Sequence, residues 1–199
     1  LDLKGKTALI TGGGSGIGKA IAALFAEQGA EVIIVGKSEE KLKEVKGEIL
    51  NCHYYVCDFS KLENITATFE EISKKHQPID ILVNNAGIYL ENSATHQTSQ
   101  GEVEFDPEKI YKLINVNLLS YWCWGLLIAE GMKEKNGGVI INVSSVNGIF
   151  GKGVSDIYDL TKAAINNLTL NQALQLSKYN IRVNAICPSS TATPMRDKA

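Results

Sequence analysis

Tyr158 and Lys162 stand four positions apart in the stretch YDLTK, inside a segment whose apolar spacing predicts a helix over 155–178. Residues four apart share one helix face, so a phenol and an ammonium project toward a common site. A free phenol, with a pKa near 10, is a poor base at neutral pH. A unit positive charge about 4 Å away contributes roughly 4 kcal/mol at an effective dielectric near 20, or about three pKa units. A phenol so placed can take or deliver a proton near working pH. Ser145 lies thirteen residues before Tyr158, at the carboxyl end of an expected strand, where doubly wound sheets gather their ligands. Its hydroxyl can donate to a substrate oxygen, with Ser144 as the local competitor. Taken singly, Tyr158 also fits a core-edge aromatic, Lys162 a snorkelling surface lysine, Ser145 a strand-end cap and Asn117 an amide satisfied within its helix.

A second group of residues reads as a phosphate cradle. TGGGSGIG, residues 11–18, follows an apolar run and opens a helical stretch. Glycines at a strand-to-helix turn let the backbone approach a pyrophosphate, whose charge meets free N–H groups and the positive end of the helix. A tight turn with close packing also needs glycine, so the strand-turn-helix context and the spacing of Gly12, Gly16 and Gly18 carry the reading.

Both groups must be placed by a scaffold, and the apolar runs describe one. TALI (7–10), EVIIV (31–35), CHYYVC (52–57), IDILVN (79–84), GVIINVS (138–144) and IRVNAIC (181–187) read as strands rich in β-branched residues. Helical spacing fills 16–28, 38–48, 61–75, 106–134 and 155–178. Strict alternation of helices with strands that are apolar on both faces implies a parallel sheet covered on each side, a doubly wound α/β fold. The polar stretch 91–102 reads as a surface loop before a long helix. Residues 1–199 suffice for a single domain with a sizeable core.

Composition narrows the partners. With 20 basic and 22 acidic side chains, a net charge of −2 and no long run of like charge, no nucleic-acid-binding face is expected. YWCWGLLIA, the longest nearly uncharged apolar run, is too short for a bilayer, and no leader is expected at the start of the chain. The four scattered cysteines, Cys52, Cys57, Cys123 and Cys187, read as buried thiols of a cytoplasmic protein. Cys52, His53 and Cys57 share one strand-like run without a second ligand cluster, so strand packing is expected there and no metal. His76 and His96 are expected at the surface.

The TGxxxGxG spacing, with NNAG (84–87), NVNL (115–118), INVSS (141–145), YDLTK (158–162) and IRVNAICP (181–188) in order, resembles the short-chain dehydrogenase/reductase family over nearly the whole chain. The resemblance implies a Rossmann-type three-layer α/β/α sandwich, a nicotinamide cofactor and hydride transfer to or from an alcohol or carbonyl carbon of a small molecule. It implies a catalytic tetrad: Tyr158 as acid/base, Lys162 as its tuner and ribose anchor, Ser145 as donor to the substrate oxygen, and Asn117 holding a water as proton relay. The thirteen-residue interval to Tyr158 favours Ser145 over Ser144.

Cofactor contacts are expected from Gly12, Gly14, Ser15, Gly16, Ile17 and Gly18, from Asp58 and Phe59 around the adenine, and from Asn85, Ala86 and Gly87 under the adenosine. Tyr158, Lys162, Pro188, Ser189, Thr191 and Thr193 are expected beside the nicotinamide, Ser189 standing where the family usually has glycine. The second strand ends in Gly36 and Lys37 with no carboxylate to repel a 2′-phosphate, which favours NADP over NAD, although Lys37 also fits an ordinary solvated lysine opening a helix. Ile88, Val146, Asn147 and Phe150 are expected to border the substrate pocket, and 89–105 to form an atypical wall. Trp122 and Trp124 suggest a helix face that joins a homodimer or homotetramer, with core packing as the alternative. The chain ends at Ala199, where the family continues through a substrate segment, a helix and a strand, so that part is expected to be missing. A 3-oxoacyl-thioester reductase of fatty acid synthesis shares every motif, and a catalytically silent NADP-binding sensor or scaffold is the reading from another class.

Overall fold

The computed structural model describes residues 2–76, 78–89, 95–97, 103–150 and 157–195. Six parallel strands form one sheet: β1 (Thr7–Thr11), β2 (Glu31–Gly36), β3 (Cys52–Val56), β4 (Ile81–Asn84), β7 (Gly138–Val143) and β8 (Ile181–Ile186). Their spatial order is β3-β2-β1-β4-β7-β8. The chain works outward from β1 to one edge and then returns to build the other half beside it. The strand order therefore reverses between β1 and β4, and a crevice opens there at the carboxyl ends of the strands.

The helices cover both faces, as the doubly apolar strands require. Ala8, Ile10, Val32, Ile34 and Val83 pack on one face with α1 (Gly16–Glu27) and α2 (Glu39–Glu48), through Ala22, Leu42 and Val45. Leu9, Ile33, Val35, Leu82 and Ile140 pack on the other with α3 (Leu62–Ser73), α5 (Ser120–Glu134) and α6 (Ile157–Leu176). Successive residues of β1 and β2 thus enter opposite cores, as the two-residue period of a strand dictates. The result is the three-layer Rossmann-type sandwich expected.

Three local features depart from the sequence expectation. The stretch 106–134 is not one regular helix: α4 (Pro107–Ile114) passes through a π-helical turn, Asn115–Leu119, into α5. Asn117 sits in that turn with its side chain fully buried. Ahead of α4, an antiparallel pair is formed by β5 (Thr95–Gln97), which carries His96 and lies in the stretch 91–102 expected to be loop, and β6 (Val103–Phe105), which follows it. The remainder of 91–102 lies outside the described residues, as does the expected start of α6 at 155. His76 is not a free surface histidine: its side chain is only 9% exposed, and its ring nitrogens meet Glu31 at 2.6 Å and the Tyr55 hydroxyl at 3.0 Å.

Pro107–Glu134 taken together has the length and apolarity of a membrane span, but half of its most apolar window is buried inside the protein. Tyr121, Trp124, Ile128 and Met132 are among its buried residues, so the apolarity serves the core. Trp124 is enclosed and meets Phe69 edge to face at 6.4 Å, whereas Trp122 is half exposed. Core packing therefore accounts for Trp124 and not for Trp122. All four cysteines are free, with Cys52 and Cys57 buried in opposite cores.

Candidate active site

The crevice above the β1/β4 boundary holds a cleft of about 730 Å³, lined by the glycine turn, the segment after β4, the end of β7, the first turn of α6 and residues after β8. β1 ends in Thr11, whose side-chain oxygen accepts from the backbone N–H groups of Asn85 (2.9 Å) and Ala86 (3.0 Å). Asn85 returns the contact by donating its amide to the carbonyls of Thr11 (3.0 Å) and Gly12 (3.3 Å). The cradle and the floor are thus stitched together. The sequence places Thr11 at the head of the TGGGSGIG cradle, and its part in joining that cradle to the segment after β4 appears only in the fold.

Two glycines make the cradle possible. Gly12 has φ +69°, and a Cβ there would stand 2.9 Å from Ala86 Cα, so a side chain is excluded both by conformation and by space. Gly16, the first residue of α1, has φ +53° and faces Thr193. The N-cap Ser15 makes no side-chain cap bond, so the first N–H groups of α1 open toward the cleft beside Ser15, Gly16 and Ile17. Gly18 serves packing instead: a Cβ would run into the Gly12 carbonyl and the Asn85 amide. Gly14 faces Lys41 and Leu42.

Tyr158 and Lys162 both line the cleft, on the same side as the glycine turn. Lys162 Nζ lies 5.7 Å from the centre of the Tyr158 ring. The lysine is buried and donates to the Val143 carbonyl at 2.9 Å, an oxygen that also accepts from the Tyr121 hydroxyl at 3.1 Å. Burial pushes the Lys162 pKa down from 10.5 to about 8, with Cys187 acting the other way. The ammonium therefore remains largely charged at neutral pH. Tyr121 is pushed upward by burial and by Tyr158, which keeps its hydroxyl a neutral donor. Tyr89, the first residue of the wall expected over 89–105, closes one side by meeting Tyr158 edge to face at 5.5 Å.

The two serines after β7 take different tasks. Ser144 donates to the Lys162 carbonyl at 2.8 Å and is committed to holding α6. Ser145 lines the cleft and accepts from the Asn147 N–H at 3.2 Å, which leaves its own proton available. Asn147 is held by Asp159 at 2.8 Å, a polar pair at the cleft wall. Val146 also borders the cleft, whereas Phe150 is 69% exposed and Ile88 packs toward the core, so neither of these two walls the pocket.

Asn117 takes a position beneath the cleft. Its Oδ1 accepts from Ile88 N–H at 2.8 Å, and its amide donates to Ile88 O at 2.9 Å. A side chain on Gly87 would come within 3.6 Å of Asn117 Oδ1 and 3.7 Å of Lys162 Nζ, so that glycine keeps the gap between them open. Pro188, Ser189, Thr191 and Thr193 close the far side. Phe59 buries its ring in the core, so a cofactor contact there would fall to its backbone. Lys37 is paired with Asp58 at 2.7 Å. Burial alone would raise the Asp58 pKa, but the Lys37 ammonium and hydrogen bonds from Ser60 outweigh it and hold it at about 2.

The cleft reaches the glycine turn at Gly12, Ser15 and Gly16, where a pyrophosphate can approach the backbone, and the paired phenol and lysine stand at the other end of the same cleft. These residues fit a nicotinamide dinucleotide. Comparison with known proteins agrees: the family model described as short chain dehydrogenase matches residues 6–199. A 3-oxoacyl-(acyl-carrier-protein) reductase of Thermotoga maritima is 38% identical over 202 residues, covering 100% of this chain and 79% of that protein. A D-xylose 1-dehydrogenase of Caulobacter vibrioides is 36% identical over 201 residues, covering 99% and 76%. Among solved structures, a chain from Beutenbergia cavernae, provisionally described as an NAD(P) dependent gluconate 5-dehydrogenase with bound NADP at low occupancy, superposes with a TM-score of 0.86. It is 28% identical, and the match covers 99% of this chain and 77% of that one.

Proposed function

The chain belongs to the short-chain dehydrogenase/reductase family and is an NAD(P)-dependent oxidoreductase acting on CH–OH and carbonyl carbons; from that premise we propose that residues 1–199 form one catalytic domain in which Tyr158 is the acid/base. The observation that carries the reading is the meeting of Tyr158, Lys162 and Ser145 in the cleft whose other end is the glycine turn. When bound, the nicotinamide supplies or accepts the hydride. The chain's own residues handle the proton and the substrate oxygen. Ser145 donates its free proton to that oxygen, fixed in direction by the bond it accepts from Asn147. Tyr158 delivers its proton during reduction and takes one during oxidation, and the Lys162 ammonium lowers the cost of the phenolate. Asn117 fixes the backbone after Gly87 through Ile88, so a relay water belongs to its main chain and not to its occupied amide.

The cofactor preference we propose is NADP. Lys37 is the cation at the tip of β2, and its bond to Asp58 holds it beside the adenosine end in place of a repelling carboxylate. The substrate is a small alcohol or carbonyl compound. The relatives act on an acyl thioester and on a sugar, so reduction of 3-oxoacyl thioesters stands as the second reading, supported by the Thermotoga protein. The exposed Trp122 and Leu126 on α5 and Leu170 and Leu174 on α6 support a homodimer or homotetramer joined through these helices. Four reduced cysteines fit a cytoplasmic setting. Steady-state assays with NADPH and NADH against sugars, ring ketones and 3-oxoacyl thioesters test the proposal. Nicotinamide oxidation with at least one carbonyl class and a lower KM for NADPH are expected; binding of both cofactors without turnover on any class contradicts it.

A further inference from the structure

Three side chains meet at the amino ends of the strands, across the sheet from the cofactor cleft. Glu31 opens β2, His53 is the second residue of β3, and His76 follows α3. His76 Nδ1 lies 2.6 Å from Glu31 Oε1, and His53 Nε2 lies 3.4 Å from the same oxygen. The imidazole rings are tilted at 49° to one another with centres 4.4 Å apart, and one ligand atom from each of the three residues falls within 4.8 Å of the others. Around a zinc ion with bonds of ~2.0–2.1 Å, tetrahedral ligand atoms stand about 3.3 Å apart. The His53 contact already has that spacing, and the His76 contact needs only to open slightly.

We propose that Glu31, His53 and His76 form a binding site for a divalent transition-metal ion of the zinc type, with water completing the coordination. Two imidazoles and one carboxylate are a donor set such ions prefer, while magnesium and calcium favour oxygen alone. The second shell is present. His76 Nε2 lies 3.0 Å from the Tyr55 hydroxyl, so when Nδ1 binds metal the proton moves to Nε2 and is donated to Tyr55. The ion then stands between Glu31 and His76 where that proton was, and the relocated proton stays on the ring. Entry is provided by an open hollow bordered by Glu31, His53 and Asn51. Cys52 is not a ligand here, because it is buried in the core with α1 and α2. The site ties β2, β3 and the end of α3 together, far from the chemistry.

The test uses the untagged full chain, stripped with chelator and titrated with Zn²⁺ alone against a chromophoric competitor, with Co²⁺ as a spectroscopic stand-in. The expected result is one saturable equivalent, a rise in Tm with Zn²⁺, and Co²⁺ bands of tetrahedral intensity without thiolate charge transfer. His53→Ala, at a half-exposed position that leaves the core intact, should weaken Zn²⁺ binding at least roughly tenfold, and Tyr55→Phe should weaken it by roughly 10-fold or more through the second shell. Glu31→Gln keeps the hydrogen bond to His76 but should lose the Zn²⁺-dependent rise in Tm. Absence of a saturable equivalent, undiminished affinity in His53→Ala, or a thiolate band with Co²⁺ would each overturn the site.

Discussion

At the scale of single residues, Lys162 carries the clearest pH signature. Its pKa falls to about 8 by burial, against 10.5 in its ordinary state. Below about 8 both folded and unfolded chains hold this proton and the burial penalty is complete. Between about 8 and 10.5 the unfolded chain binds more protons, so this group's contribution to stability rises with pH. Activity runs the opposite way, because the neutral amine no longer supports the phenolate. In the reduction direction kcat/KM is expected to fall as pH rises through about 8 while urea midpoints hold or climb. A Lys162→Met variant should lose that descending limb along with most of its rate; an unchanged pH profile in the variant would remove lysine from the account. Lys37 gives the second residue-level prediction. Lys37→Asp removes the cation beside Asp58 and adds a like charge, so the ratio of NADPH to NADH affinity should drop by roughly tenfold or more. A constant ratio in parallel fluorescence titrations would show that the 2′-phosphate is not read at this position.

At the scale of elements, the Thr11 hydroxyl makes one half of the join between β1 and the segment after β4, the Asn85 amide the other. Thr11→Val keeps the shape but removes the acceptor of the Asn85 and Ala86 N–H groups, at a cost of about 1–3 kcal/mol for buried donors left unpaired. Chemical denaturation should show that loss, with weaker cofactor binding because the floor shifts under the glycine turn. Stability and binding equal to the wild type would mean that the amides find other partners. The strands themselves were legible in the sequence, since runs such as EVIIV are apolar on both faces and sit between helical periods. Their ends were placed to within a residue or two, as were those of α1 and α2. The π-helical turn was not legible, because a single added residue in the hydrogen-bonding register of Asn115–Leu119 leaves no mark on an apolar stripe. The β5/β6 pair was missed because its residues are mostly polar, which reads as loop.

At the scale of the whole molecule, the sheet brings together residues that the sequence keeps apart, and legibility follows that distance. Tyr158 and Lys162 could be paired from spacing alone, and Gly12 with Gly16 likewise. Their convergence into one cleft required the strand order. Glu31 and His76 lie 45 residues apart, and nothing local to either announces the other, so His76 read as a surface residue. The fate of the tryptophans also belongs here, since only packing separates enclosed Trp124 from half-exposed Trp122. With Trp122 and Leu126 one turn apart on α5 and Leu170 and Leu174 one turn apart on α6, light scattering at micromolar concentration is expected to give a dimer or tetramer mass. Trp122→Glu together with Leu174→Glu should shift it toward monomer, as a charge enters a buried apolar contact. An oligomer of unchanged mass would place the interface elsewhere.

The central claim is that the Tyr158 hydroxyl carries the proton in a hydride transfer. Replacing only that oxygen, in Tyr158→Phe, tests it most directly when nicotinamide turnover and cofactor fluorescence are measured on the same sample. Turnover should fall by roughly 10²–10⁴-fold or more, with the dissociation constant for NADPH nearly unchanged. A rate close to that of the unaltered chain, or loss of cofactor binding equal to the loss of rate, would contradict the assignment.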